Sequence, residues 1–234
     1  MVWLLAMLVV AAVVVPFLPA FVRAVKPQGS SSEDRYTNAR SGYTGLDGPA
    51  VIPGTFNGLP VTSFGNGTKN CTNLGSIAID ASITNIGEGT FANVPGLTSV
   101  MIPESVTYIG PGAFTSCSDL TAIQVDLRNP TYSSVGGVMF NKNRTSLIVY
   151  PGGKAGAYAV PAGVTNIEGW AFEYCTGLTS VTIPRSVISI GNCAFFGCGS
   201  LTNVTMGSNV TIGADAFLSC PKLTKSKGRQ LPAK

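Results

Sequence analysis

The chain has 234 residues and a net charge of +4; 45% of its residues are apolar and only 11% are charged, against ~25% charged in an average globular protein. It contains no histidine. That excludes every imidazole-based triad or dyad, and every zinc, iron or porphyrin site with a histidine ligand.

Residues 1–22 carry no charged side chain. A helix of that length spans ~30 Å of hydrocarbon, and Trp3 and Phe21 fall near its ends, where aromatic residues favour the interface. The expectation is a transmembrane anchor. A secretory signal peptide is the other reading, with Val22-Arg23-Ala24 as cleavage site. Against it stand an amino-terminal end without Lys or Arg and an apolar run longer than the usual ~7–15 residues. Pro16 and Pro19 would bend or end the helix. The expected location is a single-pass membrane protein, with the side of the remaining chain left open. Arg23, Lys26, Arg35 and Arg40 place it on the cytoplasmic side by the positive-inside rule. Five Asn-x-Thr sequons, at Asn66, Asn70, Asn143, Asn203 and Asn209, arise by composition in a Thr-rich repeat and argue little for a cell surface or organelle lumen.

Residues 23–45 are polar and read as a linker. From residue 46 a repeat sets in. Leu97–Asp119 (LTSVMIPESVTYIGPGAFTSCSD) and Leu178–Ser200 (LTSVTIPRSVISIGNCAFFGCGS) are near-copies, each 23 residues long. A fixed period in this range marks a solenoid, whose units are too small to bury an apolar face alone. Residues 46–73 form a degenerate first coil, Leu74–Gly96 a full unit, and Leu201–Lys222 a last unit one residue short. Leu120–Gly177 is longer by 35 residues; within it Gly137–Phe140 and Ser146–Tyr150 flank Asn141–Thr145 and read as a β-hairpin with a polar turn.

Within a unit, Leu97, Val100 and Ile102 point inward by alternation. Pro103 ends that strand, Val106 and Ile109 face inward again, and Gly110 makes a tight corner. Ala113-Phe114 opens a short helical or 3₁₀ turn. Its Phe recurs as Phe91, Phe114, Phe172, Phe195 and Phe217, a buried spine. Cys71, Cys117, Cys175, Cys198 and Cys220 share a column pointing into the coil, and Cys193 stands apart on a turn. Reduced and buried thiols are expected. Stacked pairs such as Cys175 and Cys198 lie close enough to bridge if oxidised.

The expected architecture is mainly β: a right-handed solenoid of about six coils over residues 46–223, with a hairpin insertion, preceded by one transmembrane helix over 1–22. Residues 224–234 are a basic tail. Lys222, Lys225, Lys227, Arg229 and Lys234 contribute +5 and leave −1 for the rest. Weak contact with an anionic surface is expected of that tail, and no nucleic-acid binding.

The pattern L-T-S-V-x-I-P-x-S-V-T-x-I-G-x-x-A-F-x-x-C, recurring in five units, resembles the BspA-like leucine-rich repeats. The inserted segment from Asn129-Pro-x-Tyr to Tyr150-Pro-x-Gly-Lys154 is similar to a module of that family. The resemblance implies a surface or secreted protein that recognises other proteins non-covalently, several such proteins being adhesins. It supplies no catalytic residues.

Nothing in the residues themselves points to catalysis. The eleven acidic residues are scattered, and no Gly-x-x-x-x-Gly-Lys or Gly-x-Ser-x-Gly motif occurs. The expectation is a non-catalytic protein–protein interaction module with no cofactor and no metal. It is tethered to a membrane as a structural subunit or scaffold of a membrane complex. The alternative is a cell-surface or secreted adhesin. The contact surface follows from the turn columns. Trp170 takes the place of Gly112, Tyr174 that of Ser116, and Phe196 and Leu218 that of Thr115. Four large apolar side chains at outward positions of the last coils predict a partner-contact edge.

Overall fold

The computed structural model describes residues 74–227 without a break and four short strands before them, with side chains described for Ile52 and residues 75–224. The strands are β1 (Val22–Ala24), β2 (Gly48–Ile52), β3 (Thr55–Phe56), β4 (Leu59–Phe64), β5 (Leu74–Ile79), β6 (Asn85–Ile86), β7 (Ser99–Ile102), β8 (Tyr108–Ile109) and β9 (Ala122–Val125). They continue with β10 (Tyr132–Val135), β11 (Val138–Asn141), β12 (Ser146–Val149), β13 (Gly156–Ala159) and β14 (Asn166–Ile167). The last five are β15 (Leu178–Thr182), β16 (Ser189–Ile190), β17 (Asn203–Thr205), β18 (Thr211–Ile212) and β19 (Lys225–Lys227). The described residues contain no helix.

The chain winds as a β-solenoid of about six turns. One face is built of two parallel sheets, β2-β5-β7-β9 and β13-β15-β17-β19. On the second face β4, β6 and β8 run parallel, as do β12, β14, β16 and β18. The registers keep the repeat in step: Ile77 opposes Val100, Val100 opposes Ile123, and Val181 opposes Val204.

The residues dictate this path. Val100 and Ile102 alternate inward and are buried, while Met101 between them is exposed. Pro103 stops the strand, and the Val106 N–H donates to its carbonyl at 3.3 Å. At the corner after Ile109, a Cβ on Gly110 would lie 2.4 Å from the Glu88 nitrogen. One on Gly191 would lie 2.3 Å from the Gly169 nitrogen. Only glycine fits such a corner when another corner is stacked against it.

The aromatic spine is present but comes in two pieces. Phe91 stacks on Phe114 at 5.3 Å, and Tyr150, Phe172, Phe195 and Phe217 stack in sequence at 4.8, 4.5 and 5.0 Å. The turn around Phe114, expected to be helical or 3₁₀, is not a helix. Gly112 and Ser116 on either side of it hold left-handed φ values of 62° and 57°, which end a helical run after one turn.

The insertion does more than add a hairpin. β11 and β12 pair antiparallel as expected, and the Asn141 side-chain oxygen holds the turn by accepting from the Thr145 and Ser146 N–H groups. However, β12 also pairs parallel with β14, so it serves as a strand of the solenoid. β11 is buried on both sides: Val138 and Phe140 pack into the core that runs to Leu223, and Met139 into the core that begins at Ile52. It is a septum between two cores. Asn129 launches the insertion. Fully buried, it donates to the carbonyls of Pro103 and Val106 at 2.7 and 2.9 Å, and accepts from the Thr131 and Tyr132 N–H groups.

Of the expected transmembrane helix, residues 1–21 lie outside the described residues, and Val22 is extended in β1, opposite Phe64. No helix among the described residues is long and apolar enough to cross a membrane.

Candidate functional site

Two left-handed positions, four residues apart, shape each turn. Gly89, Gly112, Trp170, Cys193 and Asp215 hold the first, and Asn93, Ser116, Tyr174, Gly197 and Ser219 the second. Small or polar residues dominate, as expected where φ is positive. The turn at residues 170–174 departs from this, with Trp170 at φ 60° and Tyr174 at φ 54°. Both remain solvent-facing, at 39% and 41% exposure.

Three of the four expected contact residues lie on one edge. Tyr174 and Phe196 pack edge-to-face at 5.4 Å, and the Tyr174 N–H donates to the Phe196 carbonyl at 2.8 Å. The Gly197 N–H joins that turn to Leu218 at 3.0 Å, and Leu218 is 42% exposed. Phe196 is half-buried. Trp170 sits at the other end of its turn, on the rim of a cleft.

That cleft, about 390 Å³, opens between the turn at residues 111–116 and the turn at 169–174. Its lining includes Tyr132, Ile148, Val149 and Tyr150 together with Tyr108, Gly112, Glu168 and Glu173. The Thr115 hydroxyl donates to the Glu173 carboxylate across the opening. Burial raises the Glu173 pKa, and the bond from Thr115 partly opposes that shift. The turn columns did not reveal this cleft. A signal was nonetheless present: Glu168 follows Ile167 where Gly110, Gly191 and Gly213 follow Ile109, Ile190 and Ile212. In those corners the Cβ direction points to the preceding coil. Beside Glu168 that coil offers no corner, and its side chain lines the cleft.

No disulfide joins the five described cysteines to one another. Four donate from the coil interior to a carbonyl of an earlier coil: Cys117 to Phe91 at 3.0 Å, Cys175 to Tyr150 at 3.6 Å, Cys198 to Phe172 at 3.1 Å and Cys220 to Phe195 at 3.1 Å. Burial pushes the Cys117 thiol up to about 11 and Cys175 upward too; for Cys198 the contact with Cys220 leads and burial follows. Protonated, buried thiols are poor nucleophiles. Cys71 lies outside the described residues. Among the described residues no three His, Cys, Asp or Glu side chains are grouped to hold a metal ion.

A stack of short parallel strands, with turn columns carrying its chemically distinct side chains, defines a repeat solenoid. A family model for the BspA type leucine rich repeat region, in 6 copies, matches residues 59–159 and 154–230, and the chain belongs to that family. It is a leucine-rich repeat protein. A leucine-rich repeat protein from Eubacterium ventriosum ATCC 27560 superposes with a TM-score of 0.55 at 22% identity, over 78% of this chain and 66% of that one. A leucine rich cell surface protein from Faecalibacterium prausnitzii A2-165 gives 0.52 at 26% identity, over 80% and 60%. The chain thus spans less than two thirds of either protein. No curated protein sequence matches it.

Proposed function

We propose that the repeat domain is a non-catalytic protein-recognition module held at a membrane or cell surface, with the edge of Tyr174, Phe196 and Leu218, and Trp170 at the other end of its turn, as its contact residues. The observation that carries this reading is the pair of large aromatic residues at left-handed positions. Such a conformation costs roughly 1–3 kcal/mol for a non-glycine residue, and neither ring recovers that cost by full burial. Aromatic side chains at exposed, strained positions belong to recognition more readily than to packing.

The uncharged segment 1–22 supports a tether. The surface placement of the Faecalibacterium protein supports display outside the cell, as an adhesin. A scaffold within a membrane complex is the second reading, favoured by the scarcity of charge. The weak anionic contact of residues 224–234 is part of either proposal.

The test compares wild type with the double variant Trp170→Ser, Tyr174→Ser, both expressed as the full chain in native membranes. Proteins cross-linked to wild type should fall about tenfold or more in the variant, since one buried aromatic contributes ~1.5–3 kcal/mol. Circular dichroism should show the same fold in both. An unchanged cross-linking pattern would remove this edge as the contact face. Amino-terminal sequencing of the mature protein separates anchor from signal peptide: a start at Val25 means a cleaved leader.

A further inference from the structure

The turns of neighbouring coils are laced together by three rungs. Gly89, Phe91 and Asn93 N–H groups donate to Pro111, Ala113 and Thr115. Trp170, Phe172 and Tyr174 donate to Asn192, Ala194 and Phe196, and Cys193, Phe195 and Gly197 to Ala214, Ala216 and Leu218. All nine distances fall between 2.7 and 3.1 Å.

At one level the lacing stops. The coil that holds β12 leaves out its turn and cuts across through Tyr150-Pro-Gly-Gly. Gly152 and Gly153 run so close to Cys117–Leu120 that a Cβ on either would lie 2.7 Å from backbone. The N–H groups of Gly112, Phe114 and Ser116, which would donate to that turn, make no hydrogen bond among the described residues. Opposite them, among the described residues, the Gly169 and Glu173 carbonyls accept none, and the Ala171 carbonyl is used by the Tyr150 N–H at 2.8 Å. The two walls of the cleft therefore present donors on one side and acceptors on the other, one layer apart.

We infer that this cleft binds a peptide segment that carries a lysine or arginine. Its backbone supplies carbonyls for Gly112, Phe114 and Ser116 and N–H groups for Gly169 and Glu173, bending around Tyr150, which already holds the Ala171 acceptor, as the turns on either side bend. The volume of about 390 Å³ lies in the ~300–1,000 Å³ range of ligand sites. The charge chooses the side chain: Glu168 and Glu173 line the cleft, and no lysine or arginine does. Tyr108 and Trp170 add ring faces, which attract cations. This inference deepens the protein-recognition reading but does not use the edge of Tyr174, Phe196 and Leu218.

The probe is the pentapeptide acetyl-Thr-Val-Lys-Val-Thr-amide with a fluorescein label, titrated with the full chain and followed by anisotropy. The control replaces its lysine with glutamate. The lysine peptide should bind saturably and the glutamate peptide should not. Glu168→Gln and Glu173→Gln should each weaken binding about tenfold or more, with thermal melts checking that both variants fold. Phe196→Ser should bind like wild type. Absence of saturable binding to wild type overturns the proposal, as do equal binding of both peptides or wild-type affinity in both glutamine variants. If Phe196→Ser alone abolishes binding, the site is the aromatic edge, and the recognition reading survives while this one falls. If lysine amide competes as well as the peptide, the cleft takes a simple amine and the peptide proposal is overturned.

Discussion

Trp170 and Tyr174 show how a side chain can be tolerated by the fold without being used by it. Glycine holds the Trp170 column at Gly89 and Gly112, and left-handed φ costs an L-residue ~1–2 kcal/mol. Replacing Trp170 by glycine removes that strain, while glycine's freer unfolded chain returns about 0.5–1 kcal/mol of it. Trp170→Gly should therefore leave stability within about 1 kcal/mol of wild type, or raise it, in urea titration. A buried aromatic lost to a small residue costs ~3–5 kcal/mol instead. A loss above about 2 kcal/mol would show that the indole packs into the fold. The same column made Trp170 legible in the sequence: against a run of small residues, one large ring stands out.

Each turn and corner is legible where neighbours repeat it and obscure where they do not. The Phe spine and the β11–β12 hairpin follow from local pattern, an apolar residue in fixed register or an alternation on either side of a polar loop. The cleft follows from residues left out after Tyr150, and a sequence does not mark where a turn is skipped. Glu168 in the glycine column is its trace, because a side chain there needs open space in front of it. Glu173 supplies an independent check. Burial raises its pKa in the folded state, so its ionisation opposes folding above that pKa, and the penalty disappears as pH falls through it. Gln in its place keeps an acceptor for Thr115 and has no charge to bury. Glu173→Gln should be at least as stable as wild type at pH 7, and the gap should close as the pH approaches the usual carboxylate range. Thermal melts across that range read this out, and a gap that widens in acid would mean that the carboxylate is stabilised in the fold.

For the molecule as a whole, β11 divides one rod into two cores, one from Ile52 to Met139 and one from Val138 to Leu223. Repeat arrays gain stability from each unit and its neighbours, so a change of neighbour is a place where cooperativity can break. Native-state hydrogen exchange should resolve two cooperative blocks, with amides of β5–β9 opening at one free energy and those of β14–β18 at another. A single shared opening energy would show that β11 joins the cores as firmly as any ordinary coil. Both blocks hang on residues such as Asn129, whose four hydrogen bonds start the insertion.

Coils that resemble one another carry a hazard of their own. The segment Leu97–Asp119 is close enough to Leu178–Ser200 that either can settle where the other belongs, with the chain stacked out of step. Val138, Met139 and Phe140 have no counterpart in any other coil, and their alternation fits only where a core lies on each side. The odd strand works as an index mark: coils before it and after it count their places from a level that no copy can imitate, and a miscounted stack leaves Met139 or Phe140 without a core to enter.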